Sequence, residues 1–419
     1  MSSKLDKKII NTPVVVVGAG IAGLCTSYYL SKNKINHFII ERGEVGNTWI
    51  KERWDNFFLV NPNWAIKIPE FGFGTKFFPE KNPDGFLSKM QTVDLLKSYS
   101  KYIGAKIYEN ESVNSIESLG NKYKLTTSKR VVFSDNIVLS TGAFGNPSIP
   151  RMSSKINKNI LQIHSAEYKN FKHLPDGGVL VVGSGQSGAQ IAEDLLLNGK
   201  NVSLALSKCG RRLRKYRGKD SSWWNYKMGL FDKTVDDVPF ENRWKCSPHT
   251  SGANGGHEIN LIDLFEKGLN LYGSVKESKD NRLIFNDDLI ENLKFSDDYA
   301  LNWAKNVDEF IKIENLDVPI EKIFEDSRLR LFENPKSLEL NIMPKIKSII
   351  WATGFKYNYD WIDLNITNKR GFPVHKRGVT NYDGFYFMGL QWMHTSKSAQ
   401  FIGVGEDAEF IVNKINSRI

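Results

Sequence analysis

Two stretches of this chain repeat one pattern of apolar and polar positions. VVVVGAGIAGLCTSYYL (14–30) and VLVVGSGQSGAQIAEDL (179–195) each open on four consecutive apolar residues, pass through a glycine turn, and continue with apolar residues at helical spacing. The pattern predicts a buried strand, a tight turn and a helix opening on that turn, twice. In the first copy the strand covers about 13–18 and the helix 21–33, and a second strand, HFIIE, ends at Glu41. The second copy closes on NVSLALS, ending at Ser207. Residues 100–140 alternate apolar and polar positions and predict a small antiparallel meander returning to the main sheet, with the proline-bearing exit STGAFGNPSIP after it. From about 215 to 330 the pattern turns helical and aromatic. A buried strand, IKSIIWATGF (346–355), a further strand, GFYFMGL, and an amphipathic helix from about Gly403 to Asn416 complete the chain. The expected fold is α/β, with two dinucleotide-binding, Rossmann-like domains. The first (1–165) is interrupted by the second (166–345) and completed by 346–419.

The glycines explain why the turns look alike. Gly18 and Gly183 make the tight turn, Gly20 and Gly185 let the backbone approach a pyrophosphate, and Gly23 and Gly188 let helix and strand pack closely. The residues beyond the two turns differ in charge. Glu41, 23 residues after Gly18, suits two ribose hydroxyls and repels a 2′-phosphate. Ser207 and Lys208 stand 24 and 25 residues after Gly183, with Arg211 and Arg212 beyond, and this basic, hydroxyl-bearing place suits a 2′-phosphate. The first turn is therefore expected to take FAD or NAD, and the second NADPH. A solvated basic loop is the competing explanation for 207–212.

The 419 residues suffice for two or three domains, and 41% hydrophobic and 25% charged residues are ordinary for a globular chain. The net charge of +10 and the cluster KCGRRLRKYRGK (208–219), seven basic residues in twelve, raise nucleic acid as a partner. The cluster's place after the second turn favours a dinucleotide instead. Cys25, Cys209 and Cys246 are scattered and form no CxxC or CxxxxC pair, so no disulfide framework or zinc site is expected. The seven histidines include no HExxH pattern, and no metal is expected. The start, MSSKLDKKIINTP, lacks the apolar core of a signal peptide, and no apolar run approaches the roughly 18 residues of a membrane span. A cytoplasmic protein is expected.

The twin turns, the STG and ATG strand ends after them and the closing strand and helix resemble the two-dinucleotide flavoproteins. Within these, the chain resembles the flavin-containing monooxygenases and their bacterial relatives, a class that includes Baeyer–Villiger enzymes. GNTWIKERWDNFFLVNP (46–62) is similar to the family's GGxW-to-LNTP segment along the flavin, HSAEYK (164–169) to the end of its FxGxxxHxxxY fingerprint, and WATGF to its interdomain hinge. KYRGKDSSWW and GGHEINL resemble segments of bacterial members named for ion transport. Lys158 and Ile160 replace the fingerprint's opening phenylalanine and glycine, and Tyr168 stands where Baeyer–Villiger enzymes carry tryptophan. The tyrosine tilts the expected reaction toward nitrogen or sulfur oxygenation.

The resemblance implies that NADPH reduces FAD and that oxygen adds at flavin C4a to give a hydroperoxide, which oxygenates a small nucleophilic substrate. The substrate and O2 are then the partners, with no nucleic acid; a homodimer stays open. Asn61 would lie near C4a, with a turn asparagine before Pro62 as the alternative. Further cofactor contacts are implied at Arg42, Gly46, Trp49, Val113, Thr141, Gly142, Gln186, Ser187, Thr353 and Gly354. Gln400 and Phe401, at the polar start of the last helix, would face flavin N1 and the C2 carbonyl, where helix N–H groups stabilise negative charge; simple capping is the alternative. Trp223 and Trp224 line a substrate pocket or pack in a core. Three rival activities remain: Baeyer–Villiger oxygenation, another NADPH-dependent flavin oxidoreductase, and a nucleotide-sensing regulator of ion transport. A disulfide reductase would need a redox-active cysteine pair beside the flavin.

Overall fold

The computed structural model describes residues 7–279, 282–339 and 346–419. The first repeat folds as β1 (Lys8–Val17), α1 (Ile21–Lys32) and β2 (His37–Ile40), with Val14, Val15 and Val16 fully buried. Their burial on both faces is why the run is apolar without alternation. After α2 (Asn47–Glu52) comes α3 (Lys89–Tyr102), a helix the apolar pattern alone did not reveal. It starts on a reciprocal cap: Ser88 accepts the N–H of Gln91, and the Gln91 side chain accepts the N–H of Ser88.

The expected meander is narrower than 100–140. β3 (Ile107–Tyr108) pairs parallel with β2 at the opposite edge of the sheet. β4 (Val113–Ser118), β5 (Tyr123–Thr127) and β6 (Arg130–Leu139) form the antiparallel meander proper. β6 runs parallel to β1 along its full length, from Lys8 opposite Arg130 to Val17 opposite Leu139.

Beyond the linker strand β7 (Asn146–Pro147), a second parallel sheet begins with β8 (Leu161–His164) and β9 (Gly178–Val182), then α4 (Gln186–Leu197) and β10 (Val202–Ala205). The stretch read as helical holds α5 (Ser221–Lys227), α6 (Leu261–Glu266) and the 25-residue α7 (Leu289–Ile313). It also supplies β11 (Asn270–Tyr272), an edge strand too short to leave a period-2 signal. β12 (Ile346–Trp351) then inserts between β9 and β8, giving the order β11-β10-β9-β12-β8.

This placement corrects the expected boundaries. β8 precedes residue 166 and β12 comes after residue 345, yet both lie in the second sheet, because an apolar strand such as IKSIIW is stable at the centre of a parallel sheet. Residue 345, the expected end of the second domain, lies outside the described residues. The chain crosses at β7 and at β13 (Phe355–Lys356), which pair antiparallel, Pro147 opposite Phe355. After the second crossing, β14 (Ile362–Asp363) joins β4, β15 (Phe385–Phe387) joins β6, and α8 (Val404–Asn416) packs on α1. Of the apolar positions at helical spacing, Val404, Ala408, Ile411, Val412 and Ile415 are buried on α8, together with Gly405 and Asp407, while Phe401 is half-buried before its start. Among the described residues no helix is long and apolar enough to cross a membrane.

Candidate functional site

The two glycine turns have the same geometry. Gly18 (φ +104°) lies so close to the strand end opposite that a Cβ would sit 2.5 Å from the Ser140 carbonyl oxygen; Gly183 (φ +98°) stands 2.5 Å in the same sense from that of Ala352. A Cβ on Gly23 would lie 2.0 Å from the Gly18 carbonyl oxygen, and one on Gly188 1.8 Å from that of Gly183. These four glycines are demanded by packing. Gly20 is different, because a Cβ there meets nothing within 4 Å, and at Gly185 it meets only the Cys246 Cβ, at 3.7 Å. Among the described residues no side chain caps α1 or α4, and neither has an acid in its first turn, so both helix starts offer N–H groups to an anion. The Ser140 hydroxyl, beside Gly18, is buried and finds no hydrogen-bond partner among the described residues.

Glu41 lies at the end of β2, buried, and accepts the N–H of Ala19 at 2.8 Å and that of Gly43 at 2.9 Å. Each of its oxygens keeps acceptor capacity. The N–H of Glu111 donates to the Glu41 carbonyl, which brings the start of β4, and half-buried Val113, to this acid. Arg42 is exposed and pairs with Glu52 at 2.7 Å. Open space at Gly20, free helix N–H groups, an orphaned serine hydroxyl and a placed carboxylate together fit a dinucleotide.

Residues expected beside a flavin meet across 339 positions of sequence. Asn61 Nδ2 donates to Gln400 Oε1 at 3.0 Å, and Gln400 Nε2 donates to the Ser396 carbonyl. Asn61 also precedes Pro62, which opens a short 3-10 turn, as the turn reading of this residue has it. Trp49, on the helix that Gly46 (φ +77°) starts, packs 6.2 Å from the Phe401 ring and 5.8 Å from that of Phe57. The N–H groups of Phe401 and Ile402 find no acceptor among the described residues, whereas those of Gly403 and Val404 donate to the Gln400 carbonyl.

Two arginines that the spacing did not reveal complete this region. Arg53 lies over the rings of Trp49, Phe57 and Phe144, between 5.4 and 5.6 Å from each centroid, and burial lowers its pKa. The neighbouring Glu52 carboxyl is raised, also by burial. Arg214 donates to the Val60 carbonyl at 2.9 Å while making a bidentate pair with buried Asp220. It ties the segment before Asn61 to the inserted domain. Its only signal in the sequence is membership of the basic cluster.

At the second turn, Ser207 and Lys208 are exposed, and Lys208 reaches Glu291. Arg211 does not join them. Its guanidinium is bound by Glu258 at 3.1 Å and by Asp297, so its charge is taken up inside the protein and the expected phosphate contact is corrected. The same holds along the cluster: Arg214 pairs with Asp220 and Arg217 with Asp308, and burial lowers the pKa of Arg212. Gln186 donates to the Pro248 carbonyl at 3.4 Å, and Ser187 is exposed on the first turn of α4. Buried His249 donates from Nε2 to the Ser184 carbonyl, and desolvation pushes its pKa down to about 4, so it is neutral near pH 7.

The cysteines are not all scattered in space. Cys209 and Cys246 face each other beside this turn, and only Cys25 stands apart, buried in α1. The pair lies at the second turn rather than the first.

The fingerprint residues are structural. His164 Nε2 donates to the Gly354 carbonyl at 2.9 Å, and buried Tyr168 donates to Asp194 on α4 at 2.7 Å. Thr353 donates to the Ser148 carbonyl, and the N–H of Ser148 returns to Gly354 (φ +80°), so the hinge pair fastens the two crossings. Thr141 and Gly142 (φ +70°) are exposed just past β6. Trp224 is fully buried against Trp303 and Tyr216 and donates to the Tyr216 carbonyl, which assigns it to a core; Trp223 packs edge-on against it.

Residues 15–223 match the family described as pyridine nucleotide-disulphide oxidoreductase. The chain is 31% identical over 408 residues to the CzcO oxidoreductase of Bacillus subtilis, covering 96% of this chain and 98% of that protein. A probable indole-3-pyruvate monooxygenase of Arabidopsis thaliana is 30% identical over 206 residues, 47% of this chain and 52% of that protein. Among solved structures, a flavin-containing monooxygenase from Stenotrophomonas maltophilia superposes with a TM-score of 0.64 at 15% identity, covering 98% of this chain and 99% of that one.

Proposed function

Because the chain belongs to the CzcO oxidoreductases, we propose that it is an FAD- and NADPH-dependent monooxygenase that delivers one oxygen atom of O2 to a small amine or sulfide. The observation that carries this reading is the pair of glycine turns with matching geometry in two separate sheets, one leading to Glu41 and the other to Ser207 and Lys208. Two nucleotide sites in one chain suit an enzyme in which one cofactor reduces the other. FAD, when bound, supplies the redox and oxygen chemistry. The protein's own part is binding and positioning. Gly20 and the start of α1 would hold the pyrophosphate and Glu41 the ribose. The N–H groups of Phe401 and Ile402, without an acceptor among the described residues, would hold the pyrimidine end of the flavin, and Trp49 and Phe401 would exclude water beside it. Asn61, fixed by Gln400 on one side and by the Arg214-held Val60 on the other, presents an amide where polar contacts to NADPH or to oxygen are needed. A panel of amines, sulfides and ketones assayed under air with NADPH tests the reaction class: oxygenated amines or sulfides support the proposal, and lactones or esters from ketones replace it with Baeyer–Villiger chemistry.

Cofactor choice rests on Lys208 rather than on Arg211. Lys208→Ala is expected to raise the Michaelis constant for NADPH roughly tenfold, the scale of one charge-assisted hydrogen bond, while leaving that for NADH nearly unchanged. Steady-state kinetics with both nucleotides decides it, and equal losses for the two would remove Lys208 from the 2′-phosphate site.

A further inference from the structure

Cys209 and Cys246 stand far apart in sequence and close together at the second glycine turn. The Cys209 thiol donates to the Ser247 carbonyl at 3.3 Å, and the Cys246 thiol donates to the Lys208 carbonyl at 3.4 Å. Each sulfur therefore reaches the residue beside the other cysteine, which places the two thiols side by side. The backbones are laced together on the next residues: the N–H of His249 donates to the Gly210 carbonyl at 2.7 Å, and that of Arg212 to the His249 carbonyl at 3.1 Å. Cys246 is exposed and Cys209 buried.

The segment bearing Cys246 also covers the nucleotide turn. Gln186 and Gln190 of α4 donate to the carbonyls of Pro248 and Thr250, and His249 donates to that of Ser184. The Cys246 Cβ lies 3.7 Å from where a side chain on Gly185 would begin, the space that stays empty at the equivalent Gly20. That segment therefore borders the space through which a dinucleotide would approach this turn.

We propose that Cys209 and Cys246 are a redox modification site: hydrogen peroxide converts them to a disulfide that pins the 246–250 segment over the second glycine turn and weakens NADPH binding. The exposed Cys246 reacts first. Its sulfur attacks peroxide, the O–O bond breaks, water leaves and a sulfenic acid remains. The Cys209 sulfur then attacks that sulfur, the S–O bond breaks, and a second water departs as the S–S bond forms. Two thiols lose two electrons and two hydrogens, and one peroxide becomes two waters. The neighbouring Cys209 thiol lowers the Cys246 pKa and favours the attacking thiolate, while the Cys209 pKa is raised by Cys246 and by burial. Cys25 is fully buried in α1 and has no cysteine partner among the described residues.

The gating half of this proposal rests on the second turn taking NADPH. The test treats the reduced, FAD-loaded protein with stoichiometric hydrogen peroxide, then measures intact mass, maps non-reduced peptides and determines the Michaelis constant for NADPH. The expected result is a loss of two hydrogens, one peptide joining Cys209 to Cys246, and a Michaelis constant raised by about tenfold, the scale on which two states of a loop couple to a ligand. Dithiothreitol reverses all three, and Cys246→Ser, an exposed substitution, prevents them, as does Cys209→Ala. Free thiols at both positions after peroxide overturn the proposal, and so does a formed disulfide with an unchanged NADPH constant. A reduced protein that binds no NADPH overturns instead the reading of the second turn, while the peptide map still decides whether the disulfide forms.

Discussion

Alanine at Gly20 is expected to leave the fold intact and remove tight FAD binding, whereas alanine at Gly23 is expected to destabilise the protein itself. The two positions differ in what a methyl group meets. At Gly23 it would lie 2.0 Å from the Gly18 carbonyl oxygen, so α1 must move away from the turn. Overpacking of this kind costs about 1 to 3 kcal/mol or more. At Gly20 it meets nothing, the backbone angle (φ −78°) is one that alanine adopts, and exchanging glycine for alanine at a helix cap costs about 1 kcal/mol at most. The methyl group does enter the space through which a pyrophosphate would approach the α1 N–H groups. Thermal unfolding and flavin content, measured together, separate the cases: Gly20→Ala should unfold near the wild-type temperature yet purify colourless, with FAD affinity reduced about a hundredfold, some 3 kcal/mol of lost contact. A yellow Gly20→Ala protein would show that the first turn does not receive the pyrophosphate.

The second large effect is expected at the contact between Asn61 and Gln400. Asn61→Ala should lower NADPH-driven turnover by about a hundredfold, the loss typical of removing one preorganised donor, while FAD content stays unchanged. Gln400→Ala should lose a comparable factor, since it removes the acceptor that orients the Asn61 amide. Because the two side chains form one unit, the double variant should be no worse than the poorer single variant. Multiplying losses would mean that each residue acts alone, and unchanged turnover in Asn61→Ala would take this amide out of the chemistry. Deleting residues 396–419 would be a weaker test. It removes α8, whose buried face packs on α1, so FAD loss there would report the fold rather than the site.

The parts of the molecule that were legible in the sequence are those fixed by local chemistry. The runs VVVV and VLVV, the glycine spacings and the apolar face of α8 each have one stable local solution, and the structure adopts it. The narrower failures share one cause, which is pairing between distant residues. The strand IKSIIW reads correctly as buried, but nothing in it says that its neighbours are β8 and β9 rather than the first sheet. Arg211 stands at the right distance after Gly183 for a phosphate, yet Glu258 and Asp297, 47 and 86 positions on, take up its charge. Cys209 and Cys246 show no motif spacing because the fold, and not the local chain, brings them together. Helix α3 was signalled by Ser88 and Gln91 at capping-box spacing, a cue that lies in polar residues and so escapes a search for apolar periodicity.

The measurement that bears most directly on the monooxygenase reading is anaerobic mixing of the purified, FAD-loaded protein with NADPH, and then addition of isotopically labelled O2 with the amine and sulfide panel. Rapid bleaching of the flavin by NADPH, recovery of its colour with oxygen, and a product whose new oxygen atom comes from O2 are expected. A flavin that binds NADPH and stays oxidised, or a product whose oxygen comes from water, would contradict it.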